Sequence, residues 1–243
     1  MQKTKIEWTD YTWNPIKGLC PVDCKLPDGR SYCYAKRMYQ RFKWNPKIGF
    51  ELHDHVAIDR LQRKNISDGS KVFICSIFEL FHPKVPKSWR KDIFSVIECN
   101  SKNTFQILTK FPQNIDRPMP DNVWLGATIT CRDELHRILK IKKTEAKIKF
   151  ISFEPVLGNL PIWWGALKGI DWIIIGKLTG FGRKYDASSH IFKRRTAQIL
   201  LEAKRHNIPI FLKNNLKEIW GEPLIQEFPN VAEKSICQQN INS

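Results

Sequence analysis

From residue 71 onward the apolar residues fall into short blocks separated by longer mixed stretches. KVFICSIF (71–78) has β-branched and aromatic residues without clean alternation. That pattern predicts a strand covered on both faces. TFQILTK (104–110), NVWLGATIT (122–130), KFISFEPVLG (149–158), DWIIIGKLTG (171–180) and IPIFLKN (208–214) read the same way. Between them the period changes. Pro86–Glu98 sets Trp89, Ile93 and Ile97 at helical spacing. Asp133–Lys142 carries Leu135, Ile138 and Leu139 on one face, with Thr130 or Asp133 as a cap. Phe192–His206 gathers Ala197, Ile199, Leu200, Leu201 and Ala203 into a long helix. Pro161–Leu167 reads as a short helix or turn. Near the start, YTWNP (11–15) is a candidate first strand, and a helix begins near Tyr34.

Strands alternating with helices predict an α/β fold with about six or more parallel strands and right-handed crossovers. A partial or closed (β/α) TIM-like barrel is expected, and its active face would lie at the C-terminal strand ends. A flat doubly wound sheet is the alternative, but no G-x-G-x-x-G follows the first strand. The expected division is one domain over 1–222 and a partly disordered C-terminal extension over 223–243.

Composition changes this picture in one respect. Forty Lys and Arg face 24 Asp and Glu, giving a formal net charge of +16. Clusters lie at Arg60–Lys64, Lys140–Lys149 and Lys184–Arg195. Such a surface attracts polyanions over long range, so a nucleic acid or nucleotide partner is expected. No apolar run approaches a bilayer span, and MQKTKIEWTD has no apolar block after its lysines. The expectation is a cytoplasmic protein without a membrane partner. There is no Ser-His-Asp arrangement and no H-E-x-x-H motif.

The candidate chemistry sits between the first strand and first helix. Cys20, Cys24 and Cys33 follow a C-x3-C-x8-C spacing within the loop 18–34, among Gly, Pro and Asp. The other four cysteines, Cys75, Cys99, Cys131 and Cys237, are scattered. Three close thiols suit a metal. A structural zinc site wants four ligands and usually C-x2-C knuckles, which are missing. A 4Fe–4S cube on three cysteines leaves one iron open. Spacing alone leaves iron–sulfur, zinc and no metal all standing.

The same segment resembles radical S-adenosylmethionine (SAM) enzymes, whose usual motif is C-x3-C-x2-C with an aromatic residue before the last cysteine. Cys20-x3-Cys24 matches its first half and Tyr32-Cys33 its second, displaced by six extra residues within KLPDGRSY. A wider resemblance covers roughly residues 5 to 215. IEWTDYTWNPIKGLC (6–20), CYAKRM (33–38), VFICSIFELFHPKVP (72–86), FQILTKFP (105–112), NVWLGATIT, FISFEPVLGNL (150–160), DWIIIGKLTG and IPIFLKN occur in that order. They resemble the phage and prokaryotic three-cysteine-motif proteins of unknown function, a family placed near radical SAM enzymes. One departure is Gly176-Lys177-Leu178-Thr179-Gly180, where the family pattern is a Gly-Gly-Glu-Ser-Gly-like turn.

The resemblance implies an iron–sulfur enzyme that cleaves SAM reductively with electrons from an external donor. Its metal ligands would be Cys20, Cys24 and Cys33. Ser76 and Glu79 are the candidates to meet the SAM amine, Lys110 a carboxylate or ribose, and Thr128 and Thr130 the ribose. Gly176 and Gly180 would admit close approach of adenine or methionine. Glu154, ending a buried strand, and Lys213, after IPIFL, are the candidate catalytic residues. For Glu79 the bland alternative is a solvated carboxylate just past its strand. For Lys110 and Lys213 it is an ordinary surface lysine. The alternative function is a nucleic-acid-binding protein with a structural metal or a non-catalytic cluster.

Overall fold

A computed structural model describes residues 1–26, 28–45, 49–52, 66–179, 189–221 and 223–231. The chain is an α/β fold with a mostly parallel sheet of eight strands. Its contacts divide into two compact units, one of residues 1–116 and 120–123, the other of 117–119 and 124–243.

In the first unit the sheet order is β1 (Gln2–Lys3), β2 (Tyr11–Trp13), β5 (Lys71–Ile74) and β6 (Thr104–Thr109). β1 is antiparallel to β2, whereas β2, β5 and β6 run parallel. The register sets Trp13 beside Ile74 and Ile74 beside Ile107. A separate antiparallel pair joins β3 (Ile16–Lys17) to β4 (Glu51–Leu52). Helix α1 (Tyr34–Arg41) follows the thiol loop, and α2 (Lys87–Cys99) links β5 to β6. α2 buries Ile93, Phe94, Val96 and Ile97, the apolar positions of its helical period. Its buried Arg90 is held by the Val85 carbonyl and Asp116, each at 2.8 Å.

In the second unit β7 (Val123–Thr128), β8 (Ile148–Phe153), β9 (Trp172–Ile175) and β10 (Ile210–Leu212) are parallel neighbours in that order, with Val123 itself counted in the first unit. Helices α3 (His136–Lys142), α4 (Ser189–Arg205) and α5 (Lys217–Trp220) belong here. The strands are buried along nearly their whole length, as their unbroken apolar runs predict. Trp172 is fully buried among Trp124, Phe150, Phe211 and Phe228. Ile225 and Glu227, in the C-terminal extension, hydrogen-bond β10 through Leu212 and Ile210.

The expected strands and helices are present, with shorter bounds. KVFICSIF ends as a strand at Ile74, because Cys75 takes a left-handed φ of 57° and the chain turns. Asp133–Lys142 splits into a 3-10 turn (Arg132–Glu134) and α3, since Glu134 folds back to accept the Thr130 N–H and hydroxyl at 2.6 and 2.9 Å. β1, β3 and β4 were not expected. Among the described residues no helix is long and apolar enough to cross a membrane.

Gly126 on β7 lies opposite Phe150 on β8. A Cβ there would fall 2.4 Å from the Phe150 ring. Gly126→Ala is therefore expected to destabilise the chain by about 2 kcal/mol through overpacking. A urea midpoint equal to that of the parent would sink this reading.

Candidate functional site

The thiol loop explains its own odd spacing. Lys25 and Ser31 pair as an antiparallel bridge, and Leu26 accepts and donates within the same small hairpin. Tyr32 N–H closes the base on the Cys24 carbonyl at 3.0 Å. The extra residues thus fold back on themselves and return Cys33 to Cys24. The Ser31 hydroxyl donates to the Cys24 carbonyl and accepts from the Cys33 N–H, both at 3.3 Å. Asp23 then ties the loop to α1 through Lys36 at 2.5 Å and to Lys25 at 2.6 Å.

The Cys24 thiol hydrogen-bonds to Cys33, and Cys20 interacts electrostatically with both. Donating its proton raises Cys24, and burial adds to this. Accepting it lowers Cys33 below the usual thiol range; the Lys36 and Ala35 amides and the Lys110 charge act in the same direction, against burial. The start of α1 thus favours a thiolate at Cys33. Burial pushes Cys20 up to about 11, with the Glu79 and Cys33 charges adding to it.

Polar groups follow three parallel strand ends of this unit, and Glu79 and Lys110 among them act electrostatically on the thiols. After β2, the Asn14 amide exchanges hydrogen bonds of 3.2 Å with the Ser76 hydroxyl and accepts the Ile77 N–H at 3.3 Å. After β5, Glu79 is 4% exposed. One of its oxygens accepts from the Thr109 hydroxyl at 2.5 Å and the Phe81 N–H at 3.2 Å; the other accepts from the Lys110 N–H at 2.8 Å. Burial raises the Glu79 carboxyl, opposed by the Lys110 charge and these donors. After β6, burial pulls the half-buried Lys110 ammonium down, but Cys24, Glu79, Tyr32 and Cys20 together hold it above the usual lysine range. So the first unit gathers Cys20, Cys24, Cys33, Ser76, Glu79 and Lys110. Among the described residues no group of three His, Cys, Asp or Glu side chains is arranged as a metal centre.

The second unit makes its own row. β8, β9 and β10 end level, with Phe153 beside Ile175 and Ile175 beside Leu212. The residues that follow are Glu154, Gly176 and Lys213. Backbone bonds continue across the row, from Gly176 N–H to the Phe153 carbonyl at 3.1 Å and from Lys213 N–H to the Ile175 carbonyl at 3.0 Å. Lys213 Nζ meets Glu154 Oε1 at 2.5 Å. The space a Gly176 side chain would take is filled by the Glu154 carboxyl, 3.0 Å from an added Cβ. Lys177, at the departure from the family pattern, is held by backbone bonds to the Asn215 amide. Thr128 and Thr130 are buried; the Thr128 carbonyl accepts from Arg137, which pairs with Glu134, the partner of the Thr130 hydroxyl. Gly180 lies outside the described residues.

Sequence reasoning missed Thr109 and the role of Asn14. Threonine inside a strand reads as a β-former, and only the buried Glu79 beside it shows that its hydroxyl is used. The ion pair yields a prediction. Lys213→Met leaves the Glu154 carboxylate, 27% exposed, without its partner, and Glu154→Gln leaves the Lys213 ammonium, 18% exposed, without a counter-charge. Discounted for that exposure, each single change is expected to cost about 1–2 kcal/mol, and the double variant less than the sum. Strict additivity in a double-mutant cycle would show that the two do not act together.

Fold and site together define an α/β protein with a three-cysteine hairpin loop between its first parallel strand and first helix. The chain belongs to a family of proteins of unknown function, DUF5131, whose profile matches residues 3–232. No curated protein matches it. Among solved structures it is similar to a spore photoproduct lyase mutant with bound AdoMet and dinucleoside spore photoproduct. The TM-score is 0.51 at 11% identity, over 81% of this chain and 63% of that one. The present chain therefore spans under two thirds of that protein's length.

Proposed function

We propose that the chain is a radical SAM-type enzyme, built on a partial (β/α) barrel, that modifies or repairs a nucleic acid or nucleotide. Cys20, Cys24 and Cys33 would hold a 4Fe–4S cluster beside bound SAM, with electrons from an external donor. The observation that carries this is the hairpin that brings Cys33 back to Cys24 despite the long spacing. The donor chemistry suits such a cluster: three cysteine sulfurs on one loop that act on one another electrostatically, with no fourth cysteine there. When bound, the cluster supplies one-electron reduction of the SAM sulfonium. The similar fold of a radical SAM enzyme and the net charge of +16 support the reading.

The chain's own residues have definable parts in it. The Lys110 charge opposes the upward shift of Cys20 and Cys24 and adds to the downward shift of Cys33, and so favours the ligating thiolates. Glu79 is fixed by three donors on its two oxygens, which leaves acceptor capacity for the SAM ammonium group. Ser76, held by Asn14, presents a hydroxyl at the neighbouring strand end. Lys213 spends one N–H on Glu154 and keeps two for an anionic substrate oxygen. Burial of the strand ends limits water around the reacting groups.

Anaerobic purification, iron and acid-labile sulfide determination, and electron paramagnetic resonance of the reduced protein test the reading. About four irons and four sulfides, with a signal altered by SAM, are expected. Stoichiometric zinc, or no metal after reconstitution, would replace it with a nucleic-acid-binding protein whose thiol loop is structural.

A further inference from the structure

We propose that the C-terminal end of α1 is a stacking platform for the unpaired bases of a single-stranded nucleic acid. The proposal rests on the substrate class inferred above and names the surface that would hold it.

Helix α1 ends in Arg41-Phe42-Lys43-Trp44. Phe42 N–H still bonds the Met38 carbonyl, but Lys43 takes a left-handed φ of 52° and turns the chain. Trp44 N–H then returns to the Tyr39 carbonyl at 3.0 Å. This turn stacks Phe42 on Trp44, with ring centroids 5.2 Å apart and planes at 24°. Tyr39 meets Trp44 edge-on at 5.2 Å. The rings brace one another outside the core: Phe42 is 48% and Trp44 45% exposed. Two large aromatic rings left in water cost solvation free energy unless something covers them.

Charge selects the occupant. Residues 34–45 contain four cations and no acid. The Arg41 guanidinium lies 5.5 Å over the Phe42 ring, and Lys43 is exposed beside it. Aromatic faces interleaved with cations suit bases and the phosphates between them. A duplex hides its base faces, so the ligand is single-stranded. Tyr34, 55% exposed and next to Cys33, lies two helical turns from Arg41 on the same face. It extends the surface toward the thiol loop.

The test is fluorescence anisotropy of the full chain with labelled oligothymidylate and with a duplex of equal length. The parent is expected to prefer the single strand. Phe42→Ala and Trp44→Ala should each weaken binding about tenfold and leave its salt dependence unchanged. Arg41→Gln and Lys43→Gln should each lower the slope of log K against log salt by about one. Trp164→Ala, at an exposed ring of the second unit outside the platform, should change nothing. Far-UV circular dichroism checks that each variant folds. If the parent binds and the aromatic variants bind as tightly, the platform is wrong while the substrate class stands. If the parent binds no nucleic acid, both fall. If the aromatic variants instead abolish self-association in sedimentation, or binding to anionic vesicles, the occupant is a second copy or a membrane, and the proposal is overturned.

Discussion

Cys33→Ala is expected to abolish cluster loading, taking bound iron and sulfide from about four each to background. Cys20→Ala and Cys24→Ala should do the same. A three-thiolate site has no spare protein ligand, and the loop offers no fourth cysteine. Cys99→Ser and Cys131→Ser are the controls. Cys99 is exposed at the end of α2, and Cys131 belongs to the second unit. Both should load normally. The measurement is a colorimetric iron and sulfide assay after anaerobic reconstitution, with circular dichroism to show that the variants fold. Equal loading of the parent and the Cys33 variant would move the ligands elsewhere and end the radical SAM reading.

The second large effect belongs to Glu79. Glu79→Ala removes the acceptor for the Thr109 hydroxyl and for the Phe81 and Lys110 amides at once. Three donors at a nearly closed site lose their partner, and a small cavity opens. A loss of about 3 kcal/mol is expected. Glu79→Gln keeps one acceptor oxygen and should cost less. Thr109→Val removes a single hydroxyl and should cost about 1 kcal/mol. Urea unfolding with an unchanged m-value reads these directly. A Glu79→Ala midpoint within experimental error of the parent would mean that water or a rearranged loop already serves these donors.

The alternation of strands and helices was legible because both faces of the strands are covered, which writes continuous apolar runs into the sequence. Strand ends were less legible. KVFICSIF stays apolar through Phe78, yet the strand stops at Ile74. A left-handed cysteine at 75 leaves no compositional mark, since glycine is the residue that usually announces such a turn. Glu79 was legible only as a candidate with a solvated alternative; the structure buries it. Its partner Thr109 lies thirty residues away and resembles any strand threonine. Gly176 was read as room for a ligand; its open space is filled by Glu154. That exchange depends on neighbouring strands ending level, and a single sequence does not encode register visibly. In the sequence the six-residue insertion between Cys24 and Cys33 is visible only as a displacement of the thiol motif. It is a closed hairpin, since Lys25 and Ser31 pair across it.

The level ends of β8, β9 and β10 have a wider consequence. Phe153, Ile175 and Leu212 anchor the sheet in the core; of the residues that follow them, Gly176 is buried and Glu154 and Lys213 are half-buried. Backbone amides fix where Gly176 and Lys213 lie. The backbone at Lys213 therefore keeps its place when the side chain changes, whereas Gly176 has no room for a larger occupant beside Glu154. Chemistry at that end of the sheet is rewritten by changing Glu154 and Lys213 together, with the strands beneath left intact.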